Sequence, residues 1–114
     1  MLPRLDCRRS VIEVLQILSS PDRQLAYERK VPQVRVTNEL LSMWFDDTYL
    51  PEAESFRQFF SADELRALAL FNKFYDEQSS RLPDADNGIA DWLKDEGWQQ
   101  IMRRASEVLA LFVR

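Results

Sequence analysis

Only two glycines, Gly88 and Gly97, stand among the 114 residues, and this scarcity restricts the folds open to the chain more than any other feature. Tight β-hairpins need residues that accept positive φ, and glycine does so without steric penalty. Five prolines supply few further turn positions. A sandwich or barrel of many short strands is therefore disfavoured. The expected fold class is all-α: an irregular bundle of five or six helices forming a single domain over residues 1–114. An apolar fraction of 46% is enough for a core that needs neither disulfides nor metal.

Apolar periodicity places the helices. Trp98, Ile101, Met102, Ala105, Val108, Leu109 and Phe112 recur at spacings of three and four, so they share one face of a C-terminal helix. Asp95 is its expected cap, and Leu111 falls opposite the stripe. A second helix opens at the capping box Ser61-Ala62-Asp63-Glu64, buries Leu65, Leu68, Phe71, Phe74 and Tyr75, and stops by Leu82-Pro83. Near the start, the first helix begins either at the capping box Ser10–Glu13 or earlier, at Asp6. The earlier start aligns Cys7, Val11, Val14 and Leu18. Ser20-Pro21-Asp22 opens another helix, with proline at its first position. Residues 31–36 alternate weakly and contain Pro32, which predicts an extended linker or an edge strand. Thr37 or Asn38 is the expected cap of a helix through Leu40, Leu41 and Trp44. Phe56, Phe59 and Phe60 line a short helix after Pro51, and residues 84–88 read as a turn.

The absence of histidine removes Ser-His and Cys-His nucleophile pairs, zinc helices of the HExxH kind and imidazole acid–base catalysis. Two isolated glycines cannot build a phosphate-cradling loop. Cys7 is the sole cysteine, which excludes an intramolecular disulfide and fits a reducing compartment. Its place on the Val11/Val14 stripe suits a small buried hydrophobe more than a reactive thiol. No signal peptide is visible, and the longest apolar run, Val108 to Val113, is far too short to span a membrane. The expectation is a cytoplasmic protein that binds neither membrane nor nucleic acid: the net charge is −4, and Arg8-Arg9 and Arg103-Arg104 are the only adjacent arginine pairs.

Carboxylates are the remaining chemistry. Asp46, Asp47, Asp76, Glu77, Asp91 and Asp95 are candidate ligands for a divalent ion in a helical bundle, as a metal-dependent phosphohydrolase would require. Adjacent acids diverge on a helix, however, and no ExxE pattern accompanies them. The stretch Asp84-Ala85-Asp86-Asn87-Gly88 fails the calcium-loop register, because its glycine falls at position five instead of six. No cofactor is expected.

Charge is distributed unevenly. Residues 38–97 hold fourteen Asp/Glu against five Lys/Arg, a net of −9, while the flanking segments are positive. Within that stretch, Trp44-Phe45-Asp46-Asp47 and Phe74-Tyr75-Asp76-Glu77 set aromatic rings against carboxylates. Unequal spacings around the two clusters exclude an internal repeat. The rings read as core anchors and the acids as an exposed rim, a combination that suits cationic groups of a partner. The expected function is a non-enzymatic protein-interaction module that presents an acidic face to a basic protein. An inhibitor or immunity-type protein fits this profile, as does an adaptor. Asp46, Asp47, Asp76 and Glu77 are the expected partner contacts. Leu111 and Val113 offer a route to a homodimer.

Overall fold

The structure, a computed structural model, describes residues 6–112. Seven helices occupy them: α1 (Cys7–Leu18), α2 (Pro21–Lys30), α3 (Val36–Phe45), α4 (Glu54–Arg57), α5 (Ala62–Ser79), α6 (Ile89–Leu93) and α7 (Glu96–Phe112). No strand occurs among the described residues, so the all-α class holds. The expected count of five or six is corrected to seven. The additional element is the five-residue α6, too short to leave a periodic apolar stripe in the sequence.

Side-chain caps set most of the helix starts. Asp6 accepts a hydrogen bond from the Arg9 amide at 3.0 Å, so α1 takes the earlier of its two possible starts. Ser20 caps α2 with Pro21 at the first helical position. Both halves of the Ser61/Glu64 capping box are formed. Asp95 accepts from the Trp98 amide at the start of α7. α3 departs from expectation. It begins at Val36, with Arg35 in the cap position and no side-chain cap, and Thr37 is buried inside its first turn. Residues 31–35 form turns and no edge strand. α5 ends at Ser79, before Pro83, where the Ser79 and Ser80 hydroxyls bond back to carbonyls of its last turn.

α7 is the central helix and packs most extensively on α1 and α5. Its C-terminal end meets the start of both: Phe112 lies 5.0 Å beneath the Arg8 guanidinium, and Leu111 borders Ser61 and Glu64. At the other end, Trp98 contacts Tyr75 late in α5. α7 therefore runs antiparallel to α1 and α5. One continuous apolar core contains Val11, Leu15, Leu18, Leu40, Trp44, Phe56, Leu68, Tyr75, Ile89, Trp98, Ile101 and Ala105, each at most 1% exposed.

Two polar contacts fasten the smaller helices to this core. Gln24, fully buried on α2, donates from Nε2 to the Ile17 and Leu18 carbonyls at 2.9 and 3.2 Å, while its Oε1 accepts from Trp98 Nε1 at 3.1 Å. An indole nitrogen only donates and a carbonyl only accepts, so this set of partners fixes the amide orientation. Glu28, one turn further along α2, accepts from the Ile89 amide at 2.8 Å and caps α6 from 61 residues away. The preceding Gly88 has φ +74°, and a Cβ there would lie 2.3 Å from the Glu28 carboxylate. Glycine is needed at this point both for its backbone conformation and for the close approach.

Candidate interaction surface

The aromatic–acid clusters are built by α3 and α5. Trp44 is fully buried; its Nε1 donates to Asn72 Oδ1 at 3.1 Å, and its ring meets Phe71 edge-on with centroids 5.0 Å apart. Tyr49 stacks on the same indole at 5.2 Å. Tyr75, also fully buried, donates from its hydroxyl to the Leu40 carbonyl at 2.9 Å and packs against Phe45 at 4.8 Å. Burial in this apolar setting pushes the Tyr75 phenol well above its ordinary range. Three of the four rings in the clusters thus form one α3/α5 contact. The fourth, Phe74, turns towards α7, where the Arg104 guanidinium covers it at 4.5 Å. That ring face already holds a cation belonging to the chain itself.

Asp46, Asp47, Asp76 and Glu77 are all exposed, and none takes part in a salt bridge among the described residues. Asp46 is the C-cap of α3, while Asp76 and Glu77 lie in the last turn of α5. Neither helix has a basic residue in its last turn. The negative end of each helix dipole therefore coincides with carboxylates, an arrangement that disfavours the fold by about 0.3–1 kcal/mol per charge.

The contacts between α3 and α5 relate the two clusters. Passing from Leu40 to Trp44 along α3 corresponds to passing from Tyr75 back to Asn72 and Phe71 on α5. Phe45 and Tyr75, which directly precede Asp46 and Asp76, pack 4.8 Å apart, so both acid pairs adjoin this ring contact along the chain. Among the described residues, no group of three or more Cys, Asp or Glu side chains is placed to hold a metal ion. Asp91, another candidate ligand, is instead occupied by the Asn87 amide at 2.8 Å, and this bond holds its carboxyl below its ordinary range.

At the opposite end of α5, the Arg8 guanidinium grips Glu64 with two hydrogen bonds of 2.7 and 2.8 Å. Those bonds pull the Glu64 carboxyl down to about 2. Cys7 is half-buried against the core beside the backbone of Ser55. Leu111 is 38% exposed and, with the 63% exposed Leu70, lines an apolar groove between α5 and α7 that Arg104 and Glu107 border. Val113 lies outside the described residues. No helix among the described residues is long and apolar enough to cross a membrane.

No known family, curated protein or solved structure matches this chain. Geometry alone carries the functional reading.

Proposed function

We propose that the chain is a non-enzymatic protein-interaction module whose acidic α3 and α5 termini meet a basic protein. One observation carries this reading: four exposed carboxylates, without ionic partners among the described residues, stand at two helix ends where they oppose the dipole. The fold gains nothing from them there. A basic partner would gain faster association and discrimination against wrong surfaces. An inhibitor of a basic toxin and an adaptor both satisfy this description.

Purification of the native complex tests the proposal. The wild-type chain and a D46K/D47K/D76K/E77K variant are compared as baits in low salt, with the partner identified by mass spectrometry. A specific basic partner is retained by the wild type and lost by the variant. Equal retention by both refutes the assignment of these four residues.

A second reading, self-association, is favoured by the co-location of Leu70 and Leu111 in the α5/α7 groove. Light scattering on the purified chain and on Leu111→Glu distinguishes them: a dimer that the substitution dissociates supports it, and a monomeric wild type removes it.

A further inference from the structure

Three asparagines stand in the chain, Asn38, Asn72 and Asn87, and only Asn87 precedes a glycine. That pairing has a chemistry of its own. A glycine amide nitrogen that gives up its proton can attack the side-chain carbonyl carbon of the asparagine before it, since no Cβ hinders the approach. The new C–N bond closes a five-membered imide, while the side-chain nitrogen takes up a proton and leaves as ammonia. One water then opens the imide at either carbonyl. The product is aspartate, or an isoaspartate whose main chain passes through the former side-chain carbon. Asn38 and Asn72 lie inside α3 and α5, followed by Glu39 and Lys73, where the helical hydrogen-bond ladder holds the next amide. Asn87 lies in the exposed turn before α6.

The contacts of this turn restrain the reaction. Both the main-chain amide of Asn87 and its side chain are tied to Asp91, in the first turn of α6: the amide donates to Oδ2 at 2.8 Å, and Nδ2 donates to Oδ1 at 3.4 Å. The nucleophile is occupied as well, because the Gly88 amide donates to the Ala85 carbonyl at 3.0 Å. Attack needs the carboxamide to turn on to the Gly88 nitrogen and that nitrogen to be free, so the turn must open first. Exposed turns open locally at far lower cost than a core does. We propose that Asn87-Gly88 is a site of spontaneous deamidation, and that the Asp91 carboxylate sets its rate by holding the turn closed. Conversion also acts on α6. An isoaspartate lengthens the main chain directly before Gly88, whose φ of +74° and close fit to Glu28 bring the Ile89 amide to that carboxylate at 2.8 Å. The same product sets a new carboxylate beside Asp91. α6 then loses its cap, and Trp92, which α6 holds 4.8 Å from Trp98, reports the change. Asp46, Asp47, Asp76 and Glu77 take no part, so this inference does not rest on the acidic surface proposed above.

Peptide mapping by mass spectrometry tests this, after incubation of the full chain at neutral pH and physiological temperature, with isoaspartate separated from aspartate by chromatography. Asn87 is expected to exchange its side-chain nitrogen for oxygen while Asn38 and Asn72 stay intact. The chain unfolded in guanidinium chloride is expected to convert at Asn87 about tenfold faster or more, because no turn has to open. D91A is expected to raise the folded-state rate about fivefold, the effect of losing a hydrogen bond to a charged group. D91N keeps an acceptor oxygen and falls between. D84A removes a neighbouring charge that makes no hydrogen bond to Asn87, and leaves the rate unchanged. Tryptophan fluorescence shifts as product accumulates, whereas N87Q, which would have to close a larger ring, holds both mass and fluorescence. The proposal is overturned by an Asn87 that stays intact in the folded wild type and in D91A, or by a folded wild type that converts as fast as the unfolded chain. A D91A rate equal to wild type, or equal acceleration by D84A and D91A, overturns it too.

Discussion

Replacing Gln24 with methionine removes a buried polar clamp while leaving the side-chain volume nearly the same. In the wild type, one amide joins the end of α1 to the first turn of α7 through three hydrogen bonds of 2.9 to 3.2 Å. The substitution strands Trp98 Nε1 and the Leu18 carbonyl away from water, whereas the Ile17 carbonyl still accepts from Ser20. Each stranded group costs about 1–3 kcal/mol. Methionine recovers about 1 kcal/mol by burying an apolar side chain in place of an amide. The expected net loss is about 3 kcal/mol, which for a domain of this length lowers Tm by about 12 °C. Urea denaturation followed by tryptophan fluorescence measures it, and a double-mutant cycle with W98F isolates the indole–amide bond at about 1–2 kcal/mol. A Q24M protein within about 0.5 kcal/mol of wild type would refute the reasoning, since no stranded donor or acceptor could then exist.

Three further outcomes follow from the same geometry. G88A forces a Cβ into a left-handed backbone position 2.3 Å from the Glu28 carboxylate, and is expected to cost about 2–4 kcal/mol; adding E28A relieves the collision and recovers only part of that loss. The Glu64 carboxyl is held at about 2 in the folded chain and lies higher when unfolded, so its stabilisation is complete above the unfolded value, near pH 4.5, and disappears as pH falls towards 2. With Arg8 37% exposed the pair contributes about 1 kcal/mol, and acid denaturation of E64Q should show a correspondingly shallower pH dependence in that window. Neutralising the four surface acids as D46N/D47N/D76N/E77Q is expected to leave Tm unchanged or raise it by a few degrees, because charges opposed to helix dipoles are removed; differential scanning calorimetry reads this.

The long helices were legible because their signals are local. The α7 stripe from Trp98 to Phe112, the Ser61/Glu64 box and the Ser20-Pro21 opening each lie within one stretch of chain, and the structure forms all three. What escaped is non-local. Gln24 reads as an ordinary surface glutamine on α2, and only the approach of Trp98 from 74 residues away makes it a core residue. The α6 cap likewise comes from Glu28, which no pattern near Gly88 reveals. Thr37 resembles a helix cap in sequence, yet it lies buried two residues past the cap position, too late to serve as one. For the acidic surface, composition indicated the exposure of Asp46, Asp47, Asp76 and Glu77. It could not indicate that Phe45 of one cluster packs on Tyr75 of the other. The coverage of Phe74 by Arg104 was also beyond reach, because it depends on the antiparallel packing of α5 and α7.

The central claim is that the four carboxylates at the ends of α3 and α5 serve a partner and not the fold. Isothermal titration calorimetry of the co-purified basic protein against wild type and D46N/D47N/D76N/E77Q, at low and at raised salt, measures it most directly. The expected result is about tenfold or weaker binding by the neutral variant at low salt, with the difference shrinking as salt is raised. Equal affinity of the two chains at low salt would contradict the account.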